Sequence, residues 1–558
     1  MHISAAYTQP IAMGAFMKDS REVRAGQPTG APQTLTVREV VIDLMRRHGM
    51  TKVFANPGST ELPLFRDFPP DFEYVLGLQE AVVVGMADGY AQASGNAAFI
   101  NLHSAAGVGN AMGNIFTAYK NQTPLIVTAG QQARAILPFD PFLASVRATE
   151  LPQPYVKLSL EPARAEDVPL ALARAYHVAM QEPRGPVFVS IPVDDWDRAA
   201  QPLPPRQVST RVQPDPAALV QLASALDTCE RPAFVVGSSI DRAGAFDAVV
   251  ALAERHHARV FTAPMCARCA FPEDHRLFAG FLPPMREKIV GLLGGHDLIL
   301  VIGAPAFTYH VEGEGPHVPE GASLFQLIED PGVAAWTPVG ASVVGNVRLG
   351  VEALLARAVP GERALPPARA LPPEATPNAP GQPMSTAFAL QTLAQVRDPS
   401  DIVVEEAPSA RPVMQQYLPF TRPGTFYTMN SGGLGYSMPA AVGVAMANPA
   451  RRVIGLIGDG SAMYSIQGLW SAAQAKLPIT FVILNNRRYA ALQDFAPSFG
   501  FGPTDPVQGT DLPDLDFVRL AEGMGVGAER VERGEALRDV LSRALASGET
   551  RLIEIVVA

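Results

Sequence analysis

The fold is decided by a stretch that opens Arg451-Arg-Val-Ile-Gly-Leu-Ile-Gly-Asp-Gly460 and, 24 residues later, closes on Asn485-Asn486. Each end combines a short apolar run, which predicts a buried strand, with a turn that carries polar side chains. The residues between Ser465 and Lys476 have a helical pattern. A strand, helix, strand unit of this length forces its two strands to lie parallel, with both carboxyl ends at one edge of the sheet. The stretch therefore predicts an α/β fold.

Two polar residues, Asp459 and Asn486, follow the two predicted strands and should face one crevice, which is where open α/β sheets bind ligands. A carboxylate and an amide oxygen suit a hard cation such as Mg²⁺, and the N-terminus of the intervening helix suits a phosphate. The same residues also suit a plain turn and a loop cap. The spacing by itself leaves both a metal-diphosphate site and two structural turns open.

Length, charge and cysteine content favour a large intracellular enzyme. The chain has 558 residues and is 47% hydrophobic, which is enough for several domain cores. The formal net charge is −10 without a long basic run, so nucleic acid and membrane surfaces are not expected partners. No apolar run is long enough to span a bilayer. Only three cysteines occur, which predicts a reducing, cytoplasmic location.

Two proline-rich stretches, at 201–216 and 360–383, are typical of linkers between domains. Each of the three remaining blocks alternates β-like runs with helical stretches. This pattern predicts three doubly wound α/β domains with largely parallel sheets. The expected organisation is a loose N-terminal extension at 1–33 and domains at 34–200, 217–359 and 384–558.

Three side chains with catalytic potential follow predicted strands of the first domain. They are Ser59, Glu80 and His103. Because the strands are expected to be parallel, the three side chains should share one edge of the sheet. Glu80 has apolar neighbours, which is unusual for a surface glutamate, although it could also serve as a charge at the N-terminus of the following helix. A histidine beside glycines is more often structural, but the position of His103 at this edge favours catalysis.

Several strings resemble the benzoylformate decarboxylases, which belong to the thiamine-diphosphate-dependent family of 2-oxo acid decarboxylases and acetolactate synthases. The strings include Asn56-Pro-Gly-Ser-Thr-Glu-Leu-Pro63, Leu78-Gln-Glu80, Asn101-Leu-His-Ser-Ala-Ala-Gly107, Val301-Ile-Gly-Ala-Pro-Ala-Phe-Thr-Tyr-His310, Gly432-Gly-Leu-Gly435 and Ile457-Gly-Asp-Gly-Ser-Ala462. The resemblance extends from about residue 35 to the C-terminus. It implies conversion of a small 2-oxo acid, most directly benzoylformate, to an aldehyde and CO₂. The alternatives are a carboligase of the acetolactate synthase type and a non-catalytic relative that binds the cofactor.

The resemblance also implies catalytic roles for five residues. In the family, the residue matching Leu434 holds thiamine diphosphate in a bent form, and the residue matching Glu80 hydrogen-bonds its pyrimidine ring. Ser59 matches the residue that positions the substrate carboxylate. His103 and His310 match the histidines that relay protons, a task that suits imidazole near neutral pH.

The remaining cofactor contacts implied by the resemblance lie in the last domain. The metal, Mg²⁺ or Ca²⁺, would bind Asp459, Asn486 and the backbone carbonyl of Arg488. Further cofactor contacts are implied at Gly432, Ser409, Gly458, Gly460, Ser461 and Tyr464. Because Glu80 reaches the cofactor of a neighbouring subunit in this family, the active protein should be at least a homodimer. The usual state in the family is a homotetramer.

Some positions depart from the family's pattern. Where the family commonly has Asn-Asn-Gly-Thr-Tyr-Gly, this chain has Asn485-Asn-Arg-Arg-Tyr-Ala490. Pro408 stands where a hydroxyl residue normally helps to bind the diphosphate. Met463 replaces an amide, and Thr428 replaces a large aromatic side chain. Because the side chains lining a pocket set substrate preference, the choice between aryl and alkyl 2-oxo acids is left open.

Overall fold

The chain forms three successive α/β domains, each built on a six-stranded parallel sheet. The structure, a computed structural model, describes residues 35–357, 363–377 and 382–558. The fold class expected from the sequence is confirmed. The predicted extension at 1–33 lies outside the described residues, and the predicted domain boundaries stay a prediction. Among the helices of the described part of the chain, none is both long and apolar enough to cross a membrane.

The first domain begins with a helix whose start is fixed by a capping box: Thr36 Oγ1 accepts from the Glu39 N–H, and Glu39 Oε2 accepts from the Thr36 N–H. Its elements are β1 (Leu35–Thr36), α1 (Val37–Arg47), β2 (Lys52–Asn56), α2 (Leu62–Phe65), β3 (Glu73–Leu76), α3 (Glu80–Ser94), β4 (Ala98–Leu102), α4 (Ser104–Asn121), β5 (Leu125–Gln131), β6 (Ser159–Leu160), α5 (Val168–Met180), β7 (Val187–Pro192) and β8 (Ala199–Ala200). The sheet order is β3-β2-β4-β5-β7-β6, and a separate antiparallel pair of β1 and β8 ties the start of the domain to its end.

The middle domain has the sheet order 3-2-1-4-5-6 when its strands are counted from its own start. Its elements are α6 (Pro216–Thr228), β9 (Pro232–Val236), α7 (Ser239–Arg242), α8 (Phe246–His256), β10 (Arg259–Thr262), β11 (Phe278–Phe281), α9 (Arg286–Leu292), β12 (Leu298–Ile302), β13 (Ser323–Ile328), α10 (Pro331–Trp336), β14 (Ala341–Val344) and α11 (Val347–Leu355). The observed order is β11-β10-β9-β12-β13-β14.

The last domain repeats the strand order of the first domain, as β16-β15-β17-β18-β20-β19. Its elements are α12 (Thr386–Val396), β15 (Ile402–Glu406), α13 (Arg411–Tyr417), β16 (Phe426–Tyr427), α14 (Ser437–Ala447), β17 (Val453–Gly458), α15 (Asp459–Ala462), α16 (Gly468–Gln474), β18 (Ile479–Asn485), α17 (Ala490–Phe495), α18 (Phe517–Gly523), β19 (Gly527–Val531), α19 (Gly534–Ala546) and β20 (Arg551–Val556). The strand before Gly-Asp-Gly, β17, pairs in parallel with the strand before Asn486, β18, so the predicted pairing is confirmed.

The helix expected over 465–476 is shorter in the structure, where α16 covers only Gly468–Gln474. The reason is that Asp459 starts a one-turn helix, α15, directly after β17. Turns then redirect the chain, with the Tyr464 N–H bonded to Ser461 O and the Gly468 N–H bonded to Ser465 O. The second helix can begin only after this reversal.

The first and last sheets each have a switch point. At this point two neighbouring parallel strands are followed by connections that run toward opposite ends of the sheet. In the first sheet this point lies between β2 and β4, and in the last sheet between β15 and β17. Ligands of open α/β sheets bind in such crevices. The turns after these four strands carry most of the predicted site residues.

A close crossing of α3 with α14 joins the first domain to the last. A Cβ atom on Gly443 would lie 1.8 Å from the backbone oxygen of Met86, and one on Gly89 would lie 2.2 Å from that of Ala440. Only glycine allows the two helix backbones to approach so closely. Because α3 begins at Glu80 and α14 follows the Gly432–Gly435 turn, this crossing positions two of the predicted site elements.

Candidate active site

Ser59 and His103 lie on neighbouring turns at the carboxyl edge of the first sheet. Ser59 is exposed in the turn between β2 and α2, and His103 immediately precedes α4. A Cβ atom on Gly58 would lie 2.1 Å from His103 Nδ1, so the imidazole packs directly against the turn that carries Ser59. The structure thus brings these two predicted residues together.

Glu61, which the sequence did not single out, fixes this arrangement. Its buried carboxylate accepts hydrogen bonds from the N–H groups of Gly58 and Gly130, both at 2.9 Å. Glu61 Oε2 also lies 2.8 Å from His103 Nδ1. A proton on Nδ1 held by this carboxylate leaves Nε2 as the nitrogen that can exchange a proton with a ligand. In the sequence, a glutamate two residues after Ser59 looks like an ordinary turn residue, so only the fold reveals its contact with His103.

Glu80 is the first residue of α3, and Gln79 caps that helix by accepting from the N–H groups of Ala81 and Val82. The Glu80 side chain is half-buried and accepts a hydrogen bond from Asn110 Nδ2 at 3.0 Å. Burial among apolar residues, suggested by the sequence, is found for the valines that follow but not for Glu80. The helix N-terminus projects beyond the core, so the carboxylate stays accessible.

Asp459 provides the clearest sign of a cation site. Its side chain is buried, and its Oδ1 accepts from the Gly460 N–H at 2.8 Å, while its Oδ2 has no hydrogen-bond partner among the described residues. Burial raises the pKa of this carboxyl group, and nearby backbone amides, including those of Arg487 and Arg488, partly offset that effect. A buried carboxylate oxygen without a partner is costly unless a cation neutralises it. The site therefore fits a hard metal ion.

Asn486 and Arg488 follow the strand next to Asp459, in a tight turn. Asn486 Oδ1 accepts from the Arg488 N–H at 3.2 Å, and Arg487 takes a left-handed conformation with φ of 60°. This conformation is unfavourable for arginine and favours glycine. The neighbouring Asn485 is buried and donates to Glu554 Oε1 at 2.7 Å. Asn485 is thus engaged within the sheet, whereas Asn486 lies in the turn at the carboxyl edge that also carries Asp459.

Two glycines shape the crevice around this turn. A Cβ atom on Gly460 would lie 2.2 Å from the ring of Tyr489. Gly435 has φ of 94°, and a Cβ atom there would lie 2.8 Å from Tyr464 Cβ. The other predicted cofactor contacts surround the same edge of the sheet: Ser409 follows β15, Gly458 ends β17, Ser461 lies in α15, and Gly432 and Leu434 lie in the turn before α14.

Glu406 is a second residue that the sequence did not single out. At the end of β15, its buried carboxylate accepts from the backbone N–H groups of Gly435, Tyr436 and Ser437 at 2.6, 2.8 and 2.6 Å. Burial raises the pKa of Glu406 to about 7, against the opposing effect of these three amides. One side chain thus holds the turn that carries Leu434. The sequence signal was an acidic pair at the end of an apolar run.

His310 lies on an exposed loop of the middle domain and faces the last domain. Its ring stacks on Phe495 of α17, with the ring centroids 4.6 Å apart. Its backbone N–H donates to Pro284 O at 2.9 Å. Within the described residues, no hydrogen bond or ion pair links His310, Asp459 or Asn486 to Ser59, Glu80 or His103. Ser59, Glu80 and His103 thus lie on the first domain, whereas His310 lies on the middle domain and Asp459 and Asn486 lie on the last domain.

Three protein-family models match successive parts of the chain. They describe the N-terminal TPP binding domain, the central domain and the C-terminal TPP binding domain of thiamine pyrophosphate enzymes, and they match residues 35–151, 219–354 and 409–555. The chain belongs to the thiamine pyrophosphate enzyme family. The family and the cofactor expected from the sequence, thiamine diphosphate, are thereby confirmed.

Within this family the chain is similar to several decarboxylases that act on aryl 2-oxo acids. It is 46% identical to benzoylformate decarboxylase of Pseudomonas aeruginosa, over 93% of this chain and 98% of the relative. Benzoylformate decarboxylase from Polynucleobacter necessarius superposes with a TM-score of 0.90 at 40% identity, covering 94% of this chain and 98% of the other. A 4-hydroxybenzoylformate decarboxylase from Rhodococcus jostii has the same TM-score and identity, with coverage of 94% and 99%.

Proposed function

We propose that this chain is a 2-oxo acid carboxy-lyase that uses thiamine diphosphate to convert benzoylformate to benzaldehyde and CO₂ without net oxidation. The observation that carries the proposal is the Glu61–His103 contact of 2.8 Å beside Ser59, at the switch point of the first sheet. A hydroxyl that can bind a carboxylate and an oriented imidazole that can donate a proton are the two groups that this reaction needs from the protein. The similarity to enzymes named for benzoylformate supports the choice of substrate.

The metal-diphosphate part of the site is assigned to the last domain. We place Mg²⁺, or Ca²⁺, on Asp459 Oδ2, the Asn486 side-chain oxygen and the backbone carbonyl of Arg488, a set of oxygen ligands that suits hard cations. Gly432, Gly458, Gly460, Ser409, Ser461 and Tyr464 form the rest of the cofactor crevice. Leu434, whose turn is held by the Glu406 contacts, would support the bound cofactor.

The protein residues then divide the remaining work. Bound thiamine diphosphate supplies the electron sink for the electron pair that remains when CO₂ leaves. Glu80 would hydrogen-bond the pyrimidine ring of the cofactor, and Ser59 Oγ would donate to the substrate carboxylate. His103, oriented through Nδ1 by Glu61, moves a proton at Nε2, and His310 provides a second imidazole from the opposite wall. Proton delivery at the former carboxyl-bearing carbon completes the aldehyde.

A complete site requires two chains in this proposal. The first-domain set is flanked by exposed apolar side chains, with Leu62 61% and Phe142 86% exposed, and the last-domain set is flanked by Phe499, which is 68% exposed. Apolar surface of this kind is typical of interfaces between subunits. We propose a homodimer as the minimal active unit and a tetramer as the complete assembly. Mixing Glu80→Gln chains with Asp459→Asn chains should restore activity through hybrid dimers, whereas failure to restore any activity would place each site within one chain.

Product identification tests the proposed reaction. With thiamine diphosphate and Mg²⁺, benzoylformate should yield benzaldehyde and CO₂ as the main products. A hydroxyketone as the sole product would show a carboligase, and failure to bind the cofactor with Mg²⁺ would show a non-catalytic relative. A panel of aryl and alkyl 2-oxo acids would then establish the substrate range. The location proposed for this enzyme is the cytoplasm, in keeping with three free cysteines, and cell fractionation would test it.

A further inference from the structure

A large cavity lies away from the candidate active site, between the first and middle domains. It has a volume of about 610 Å³ and is bordered by α1, α5, residues 203–212 of the linker, and the carboxyl ends of β13 and β14. His48, which lines it, lies in the turn between α1 and the start of β2, whereas Ser59 follows the end of that strand. The cavity is therefore at the opposite edge of the first sheet from the catalytic residues. On the middle domain it meets the carboxyl edge, where open parallel sheets bind ligands.

The linker is fixed where it borders this cavity. The Asn346 N–H donates to Val212 O at 2.8 Å, which attaches the linker to the turn after β14. A Cβ atom on Gly345 would lie 2.7 Å from the ring of Pro214, so this part of the linker packs directly against the middle domain. The cavity is thus a formed space between three parts of the chain.

The walls of the cavity combine accessible apolar side chains with cationic ones. Leu170 is 62% exposed and Val212 is 63% exposed, and Val208 and Val344 add further accessible apolar surface. Exposed apolar side chains concentrated in one cavity are typical of ligand sites. A volume of 300–1,000 Å³ is usual for sites that bind small molecules.

The charges at the mouth of the cavity favour an anion. Arg174 and Arg206 make no ion pair or side-chain hydrogen bond within the described residues, whereas Arg47 is paired with Asp43 at 2.9 Å. The two acidic residues of the wall offer little free negative charge: Glu182 pairs with Arg184 at 2.8 Å, and burial raises the pKa of Glu329 to about 7, against the opposing effect of Arg242. The uncompensated charge is therefore positive, on two exposed guanidinium groups.

We propose that this cavity is a binding site for an amphipathic carboxylate, with the apolar body against Leu170, Val208 and Val212 and the carboxylate against Arg174 and Arg206. Guanidinium groups bind carboxylates with directed hydrogen bonds, and the apolar walls contribute affinity in proportion to the length of the ligand's apolar body. The site is independent of the proposed reaction, because none of its residues belongs to the candidate active site.

A series of straight-chain alkanoates from hexanoate to dodecanoate tests the proposal by calorimetry on the enzyme loaded with thiamine diphosphate and Mg²⁺. Affinity should rise about three- to fourfold for each added CH₂ until the cavity is filled. Inorganic phosphate, which has no apolar body, should bind at least tenfold more weakly than the best alkanoate. Absence of binding across the series would overturn the proposal.

Variants locate the binding. Arg174→Ala and Arg206→Ala should each weaken alkanoate binding about tenfold or more, as expected for loss of a charge-assisted hydrogen bond. Arg211→Ala, in the same linker but outside the cavity, is the matched control and should bind normally. Leu170→Glu should abolish the dependence on chain length. Binding that persists in the Arg174 and Arg206 variants but disappears in Ser59→Ala would place the alkanoate in the catalytic crevice and contradict the proposal.

Discussion

Glu406 Oε1 accepts a hydrogen bond from the backbone N–H of Gly435 at 2.6 Å, and this contact joins the end of β15 to the turn that carries Leu434. Glu406 Oε2 accepts from the next two N–H groups, at the start of α14. The carboxylate thus accepts hydrogen bonds from N–H groups that have no partner within the helix at its start. We expect its effect on the cofactor to be indirect, through the position of the Leu434 side chain.

Replacing Glu406 by glutamine should weaken cofactor binding. Glutamine has the same shape but loses the negative charge and turns one acceptor into an N–H₂ group that faces N–H donors. Charge-assisted hydrogen bonds contribute about 1.5–3 kcal/mol each, so we expect the dissociation constant for thiamine diphosphate to rise at least about tenfold. Reconstitution of the apo protein measures this constant. Glu374→Gln, on an exposed residue, is the control, and equal constants for both variants and the parent would contradict the role of Glu406.

Asp88 should make the stability of the protein depend on pH. Asp88 lies on α3 and is buried where this helix meets the start of α14. Gln92 Nε2 donates to its carboxylate at 2.6 Å, and burial raises its pKa to about 6. The native state binds the carboxyl proton of Asp88 more tightly than the unfolded state does. The contribution of Asp88 to the free energy of unfolding therefore falls as pH rises from about 4 to about 6, and it then stays constant. The full effect is on the order of 3 kcal/mol.

The variant Asp88→Asn tests this dependence, because the amide has nearly the same shape and does not titrate. The difference between the thermal unfolding midpoints of the variant and the parent should change steadily between pH 4 and pH 6 and stay constant above that range. Subtracting the two curves removes the contributions of all other titrating groups. Parallel curves across the whole range would mean that Asp88 does not titrate in the native protein within this window.

The architecture could be predicted from the sequence because parallel sheets leave strong local signals. The apolar runs before Gly458 and Asn485, and the turns that follow them, determine both the strands and the edge that carries the site. The start of α16 could not be predicted, since it depends on the one-turn helix at Asp459 and the reversal after it. Local periodicity does not show where such a reversal ends.

The site could be predicted only where a residue's position along a strand determines its role. Asp459, Asn486, Ser59 and His103 follow strands directly, so their shared edges could be inferred. Glu61 acts through contacts with Gly130 and His103, which lie 69 and 42 residues away. Contacts over such distances arise from the packing of strands and turns, and no local pattern of residues encodes them.

Asp459→Asn should separate metal binding from stability. Since Asp459 Oδ2 is buried and has no hydrogen-bond partner in the part of the chain that the structure describes, removing its charge should leave the apo protein equally stable or more stable. The same change should abolish the rise in the unfolding midpoint that thiamine diphosphate and Mg²⁺ give together, because the metal loses a charged ligand. Thermal unfolding with and without both ligands measures the two effects. Asp494→Asn, on an exposed residue of α17, is the control, and a full ligand-induced rise in Asp459→Asn would contradict the metal assignment.

Glu61→Gln should impair proton transfer by His103 while substrate binding is largely retained. The amide cannot stabilise a protonated imidazole as a carboxylate does, so kcat should fall about tenfold to hundredfold, part of the 10²–10⁴ that general acid–base catalysis contributes. The pH profile of kcat should change in shape, whereas a purely structural defect would scale kcat equally at every pH. Thr60→Val is the control, because it removes the 3.3 Å contact to His103 and the 2.7 Å hydrogen bond from Thr60 Oγ1 to Glu61 Oε1 but keeps the Glu61 carboxylate. A rise in KM with an unchanged kcat and profile would instead indicate a role in substrate binding.

The most direct test of the proposed function follows benzoylformate labelled with ¹³C at its carboxyl carbon. NMR should show the label entering CO₂ and bicarbonate while benzaldehyde forms in equal amount, with both thiamine diphosphate and Mg²⁺ required. Retention of the label in the organic product, or consumption of benzoylformate without release of benzaldehyde, would contradict the account.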